Sequence, residues 1–107
     1  MIQVGIIGGA GYTAGELIRL LLHHPKAAIN FVYSTSNAGN KISKIHQDLV
    51  GSIDLNFTDI INPKVDVLFL CLGHGNSKVF LENNSFSKAT KIIDLGNDFR
   101  LNVDSVF

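Results

Sequence analysis

Val4-Gly5-Ile6-Ile7-Gly8-Gly9-Ala10-Gly11-Tyr12-Thr13-Ala14-Gly15-Glu16-Leu17-Ile18-Arg19-Leu20-Leu21-Leu22 is the stretch that decides the fold. Its first four residues are short, apolar and β-branched, and glycines follow at once, so they read as a buried strand. Its last seven have helical spacing: Leu17, Leu20 and Leu21 share a face that Ile18 and Leu22 widen. Thr13 is the expected N-cap, with Glu16 three residues later as in a capping box, and Pro25 stops the helix. Strand, glycine loop and helix in that order predict the opening unit of a parallel α/β sheet.

The loop carries chemistry. Gly9, Gly11 and Ala14 fit a G-x-G-x-x-A pattern, while Gly8, Gly11 and Ala14 fit G-x-x-G-x-x-A. In either register an early glycine permits the tight turn. Gly11 lets backbone approach a pyrophosphate, and the small Ala14 lets the helix lie close to the sheet. The helix N-terminus offers free N–H groups and partial positive charge to phosphates. The plainer alternative is a glycine turn without a ligand. Dinucleotide binding is preferred because the motif follows a strand and opens a helix. A G-x-x-x-x-G-K-[ST] motif is absent, which argues against a nucleoside triphosphatase loop.

Outward from this unit, the pattern repeats. Ile29-Asn30-Phe31-Val32-Tyr33 reads as a second strand, and 34–39 as a polar turn. The stretch 41–62 stays open: Ile42, Ile45 and Leu49 are spaced as a helix, yet Asp54-Leu55-Asn56-Phe57 suits a short strand. Residues 65–72 form the clearest buried strand, Ser77 starts a short helix, and 91–95 form a last strand. The expectation is a Rossmann-like, doubly wound parallel sheet, incomplete at its C-terminal end. Ligands of such sheets sit beyond the carboxyl ends of the strands.

The residues after the second strand bear on cofactor choice. An NAD site usually has Asp or Glu about 20 residues beyond the loop, for the ribose hydroxyls. Here Ser34-Thr35-Ser36-Asn37 stand there, and Lys41 follows. Hydroxyls and an amide can donate to a 2′-phosphate, so NADP (NADPH) is expected ahead of NAD. Gly73-His74-Gly75 lets backbone come near the cofactor ribose or phosphates; an exposed turn is the equal alternative. Cys71 ends an apolar strand and reads as a core residue rather than a nucleophile. His23, His24 and His46 make no metal set with it. Asp98 and Arg100 suit a surface ion pair.

Composition bounds the rest. The chain has 107 residues, 46% hydrophobic and 17% charged, with zero formal net charge. That is material for one core, and it argues against a surface for nucleic acid or anionic membrane built on bulk charge. A single cysteine permits no internal disulfide. No apolar run approaches the roughly 18 residues of a membrane span, and no signal peptide is evident. A cytoplasmic protein is expected.

Four ordered motifs together resemble a known family. They are residues 8–21; Ser36 with Ala38-Gly39 and Lys41; Cys71-Leu72-Gly73-His74-Gly75; and Asp94-Leu95-Gly96-Asn97-Asp98-Phe99-Arg100. They resemble the N-acetyl-γ-glutamyl-phosphate reductases, relatives of aspartate-semialdehyde dehydrogenase. The resemblance implies an NADP-dependent reduction in arginine biosynthesis. A cysteine thiolate attacks the acyl phosphate, phosphate leaves, and the cofactor reduces the thioester to a semialdehyde with a histidine as acid/base.

The resemblance carries cofactor binding onto Gly8, Gly9, Ala10, Gly11, Tyr12, Thr13, Ala14, Ser34, Ser36, Asn37, Gly73, His74 and Gly75. No catalytic residue transfers, because the family's Asn-Pro-Gly-Cys segment is absent. Asn37 stands where the family often has arginine, Gly73 where it has proline, and Gly96 where it has serine. Residues 1–107 are therefore expected to be the N-terminal dinucleotide-binding domain of a longer two-domain enzyme. That enzyme is expected to be a homo-oligomer acting on a small acyl phosphate, and this part alone inactive. Residues 102–107 show no closing element, which favours this over a stand-alone nucleotide-sensing module.

Overall fold

A computed structural model describes residues 1–8, 10–49, 51, 53–72 and 76–95. In chain order the elements are β1 (Ile2–Ile7), α1 (Tyr12–Leu22), β2 (Ala27–Tyr33), α2 (Ile42–Ile45), a 3-10 turn (Gln47–Leu49), β3 (Val67–Leu70), α3 (Asn76–Asn83) and β4 (Lys91–Asp94). The strands form one parallel sheet in the order β2-β1-β3-β4. The chain steps outward from β1 to β2, returns to place β3 on the other side of β1, then moves on to β4. The order therefore reverses between β1 and β3.

Both faces of the central strands are covered, which is why their sequences are apolar runs rather than alternations. On one face Val4, Ile6 and Val32 pack with Ala14 and Ile18 of α1, Ile42 of α2, Leu49 and Phe57. On the other, Ile7, Phe31, Leu68 and Leu70 pack with Val65, Phe80 and Phe86. Each fully buried Ile or Leu contributes about 1.5–3 kcal/mol. Gly5 serves this packing, since a Cβ there would lie 2.5 Å from the Phe31 ring. The β1–β2 register shifts between Val4 and Gly5, at the same place.

The start of α1 differs from expectation. The N-cap is Gly11, in extended conformation and without a side-chain cap, so Thr13 already lies inside the first turn. Glu16 is too far along to reach back; it accepts a 2.7 Å bond from the Arg19 guanidinium instead. The buried stripe also differs. Ala14, Gly15 and Ile18 are its centre, with Leu17, Leu21 and Leu22 beside it. Leu20 is 69% exposed. Helical spacing admits several stripes, and contact with the sheet selects one.

Both readings of 41–62 hold a share. Ile42 and Leu49 are buried on helical turns, while Asn56 bridges to Lys41 and Thr58 to Tyr33 in extended conformation. The Thr58 N–H bonds the Val32 carbonyl, and the Ser34 N–H bonds the Thr58 carbonyl. This segment thus pins the exit of β2 and the polar turn after it.

Candidate functional site

The carboxyl ends of β1, β2 and β3 surround a cavity of about 300 Å³. Gly8, Ala10 and Gly11 line it from the first loop, Tyr33, Ser34, Thr35 and Ser36 from the exit of β2, and Cys71 and Leu72 from the exit of β3. It lies where the strand order reverses, the crevice that open parallel sheets use for ligands. A larger cavity of about 550 Å³ opens among Met1, Ile2, Pro25, Lys26 and Asp66. That one is at the amino ends of the strands, away from every loop that follows a strand.

Gly8 is obligatory in its place. Its φ is +81°, and a Cβ would stand 2.7 Å from the Cys71 carbonyl oxygen. Its N–H bonds the Tyr33 carbonyl at 3.0 Å, while the Cys71 N–H bonds the Ile7 carbonyl at 2.8 Å. The three strand exits are thereby locked together around the cavity floor. Gly11 has a different use: among the described residues, a Cβ there would meet nothing closer than the Gly8 oxygen at 4.0 Å. The space over Gly11 is open to a ligand.

Gly11 also begins α1. The first intrahelical bond runs from the Gly15 N–H to the Gly11 carbonyl at 3.1 Å. The N–H groups of Tyr12, Thr13 and Ala14 precede it without a side-chain cap, and the first turn holds no acidic residue. This is the electropositive end that favours phosphate oxygens.

At the β2 exit, the Asn37 amide donates to the Ser34 hydroxyl at 3.3 Å and to the Ser36 hydroxyl at 3.5 Å. Among the described residues that line the cavity, none is a carboxylate. Lys41 is not in the wall; its ammonium sits 4.0 Å from Asp54, both exposed, a pair of little energetic weight.

Cys71 is half-buried, and its thiol is pushed up to about 11, first by burial and then by the negative charge of Asp94. A nucleophile needs the opposite shift. Cys71 is a neutral wall residue, as a strand-end apolar position predicts.

Of the expected cofactor residues, Gly8, Ala10, Gly11, Ser34 and Ser36 line the cavity. Ala14 is fully buried beneath α1, where a small residue lets helix and sheet close up. Tyr12 and Thr13 are exposed in the first turn of α1 and do not line the cavity. Asn37 stands behind the two serines. Gly9, Gly73, His74 and Gly75 lie outside the described residues, as do Asp98 and Arg100. Thr35, part of the Ser34–Asn37 stretch read for the cofactor ribose, also lines the cavity, whereas Tyr33, Cys71 and Leu72 were missed as lining residues. Their signal was their place at the ends of strands. It also credited only Ala14 with close packing, whereas Gly15 lies against His46. Among the described residues there is no group of three or more His, Cys, Asp or Glu placed to hold a metal, and no helix long and apolar enough to cross a membrane.

Comparisons with known proteins agree with this geometry. The family model described as semialdehyde dehydrogenase, NAD binding domain, matches residues 3–107. An N-acetyl-gamma-glutamyl-phosphate reductase of Flavobacterium johnsoniae is 66% identical over 107 residues, all of this chain and 33% of that protein. One from Christiangramia forsetii is 64% identical over 101 residues, 94% of this chain and 32% of that protein. The chain thus spans about a third of the length of the curated relatives it matches. Among solved structures, aspartate semialdehyde dehydrogenase with NADP from Candida albicans superposes with a TM-score of 0.67 at 20% identity. That match covers 94% of this chain and 31% of the other, and shows a shared fold.

Proposed function

The chain belongs to the semialdehyde dehydrogenase family through its NAD-binding domain, and from that premise we propose that residues 1–107 are the cofactor domain of an N-acetyl-γ-glutamyl-phosphate reductase. The single observation that carries this reading is the cavity at the β1/β3 reversal, floored by Gly8 and headed by the uncapped first turn of α1. The two reductases at 64–66% identity support the choice of reaction. In this proposal the acyl-phosphate pocket, the thiolate nucleophile, the acid/base and the contacts of a homo-oligomer belong to the remainder of a longer polypeptide working in the cytoplasm.

The residues present suit a dinucleotide. Gly8 leaves no side chain over the floor, the α1 N–H groups receive the pyrophosphate, and Gly11 allows its close approach. Ser34, Thr35 and Ser36 receive the adenosine ribose, with Asn37 holding the outer two hydroxyls in position. Without a carboxylate to repel it, a 2′-phosphate is accepted, so the cofactor proposed is NADPH in preference to NADH. Asn37 supplies no charge, so this preference rests on neutral donors. Gly9 and Gly73-His74-Gly75 are proposed to complete the contacts. The cofactor supplies hydride when bound, and the part of the protein seen here binds and orients it.

The test is a titration of the full-length polypeptide with NADPH and NADH, followed by fluorescence of the reduced nicotinamide. Saturable binding, tighter for NADPH, is expected. A Gly8→Val variant should lose at least about tenfold in affinity, since it adds both strain at φ +81° and a clash with the Cys71 carbonyl. Equal binding by wild type and variant would sink the assignment of the cavity.

A further inference from the structure

We propose that His46 is a positioning residue for cofactor binding, acting through Gly15 on the phosphate-facing turn of α1. This rests on the reading of the cavity as the dinucleotide site. His46 does not line the cavity, and no motif singled it out. It closes α2: its N–H bonds the Ile42 carbonyl at 2.9 Å, and its own carbonyl accepts the Leu49 N–H at 2.9 Å.

Its imidazole stands under the helix. A Cβ added at Gly15 would lie 2.6 Å from His46 Nδ1 and 2.9 Å from Cε1, closer than atoms tolerate. The ring cannot simply swing aside. His46 is only 9% exposed, and Phe57, itself buried, has its ring 6.2 Å away and tilted 56° to the imidazole. The imidazole is therefore a fixed prop, and the helix rests on it at the one residue without a side chain.

Gly15 matters because of where it sits. Its N–H makes the first intrahelical bond, to Gly11, and Gly11 lines the cavity. A displacement at Gly15 is passed to the turn that presents the Tyr12, Thr13 and Ala14 N–H groups. Oriented backbone donors lose much of their value when moved by a fraction of an ångström. Residues 15 and 46 therefore form a coupled pair whose fit sets the height of the phosphate site.

The test is a double-mutant cycle on the full-length polypeptide, reading the Kd of NADPH alongside the melting temperature. Gly15→Ala should raise the Kd roughly tenfold, and His46→Ala alone by less. The double variant should bind better than Gly15→Ala alone, because the space left by the ring accepts the new methyl. His46→Asn, which keeps an atom near the Nδ1 position, should restore binding relative to His46→Ala. It also tests the idea if Gly15→Ala does not fold. In turnover the changes should appear in the KM for NADPH and leave the KM for the acyl phosphate unmoved. Additive effects in the cycle, or a lowered melting temperature with unchanged Kd, would overturn the pairing while leaving the cofactor site intact. Absence of NADPH binding by the wild type would overturn both.

Discussion

β1 and β4 are built from the same kind of residue and lie in the same parallel sheet, yet they live in different surroundings. Ile6 and Ile7 at the end of β1 are fully buried, whereas Ile92 and Ile93 of β4 are 43% and 38% exposed. β1 has strands on both sides and packed side chains on both faces. β4 pairs with β3 alone among the described residues, and neither of its isoleucines joins a core cluster. An apolar β-branched run announces a strand. It does not announce the strand's place in the sheet, because burial is set by neighbours that the run does not contain. The candidate cavity forms at the covered end of this contrast. There the strand exits are pinned and glycine can bring backbone close to a ligand.

The largest test of this difference is truncation. Ile6→Ala should cost about 2–5 kcal/mol, the range for a buried aliphatic removed from a core that cannot collapse. Ile92→Ala should cost less than about 1 kcal/mol. Urea melts of the two variants measure both. Equal losses would mean that β4 is covered in the folded protein as fully as β1.

A smaller effect sharpens the β3–β4 side. Thr90 is buried just before β4, and its hydroxyl donates to the Val65 carbonyl at 2.6 Å. Thr90→Val keeps the shape and removes the donor. The expected loss is about 1–2 kcal/mol, most of it the cost of leaving a buried carbonyl under-satisfied. A neutral result in the same melts would show that the hydroxyl is dispensable and that packing alone anchors this edge.

The smallest effect concerns Cys71, which bridges the two regions. The fold holds its thiol neutral, raising it from 9.0 to about 11. Stability from this source is present below pH 9 and is lost as pH rises toward 11, because the unfolded thiol ionises first. Alkylation by iodoacetamide should accordingly be slow at pH 8 and accelerate with a midpoint near 11. Asp94→Asn should lower that midpoint by the lesser of its two causes, leaving burial to hold the rest. A midpoint at or below 9 would mean that the thiol is not desolvated.

Much of the fold was legible in the sequence. The strand, glycine loop and helix at 4–22 announced a parallel sheet, and the later runs at 29–33, 65–72 and 91–95 each held a strand. Half-legible was 41–62, since Ile42 and Leu49 obey helical spacing while Phe57 is buried on extended backbone. The capping of α1 was misread because Thr13 and Glu16 have the composition of a capping box two residues inside the actual start. Within the site, Gly8, Ala10, Gly11, Ser34 and Ser36 could be read from motif position. Tyr33, Cys71 and Leu72 could not, because lining a cavity depends on which strand ends become neighbours.

The sequence by itself determined the local items: where strands and helix would form, that a glycine loop would open the helix, and that no carboxylate would follow the second strand. These depend on spacing and residue chemistry within a few positions. Only the tertiary structure decided which strand ends meet around the cavity, the stripe of α1 that faces the sheet, and the meeting of Gly15 with His46, thirty-one positions apart along the chain. Such contacts arise from packing among distant segments, and packing is a property of the assembled core that no single stretch of chain encodes.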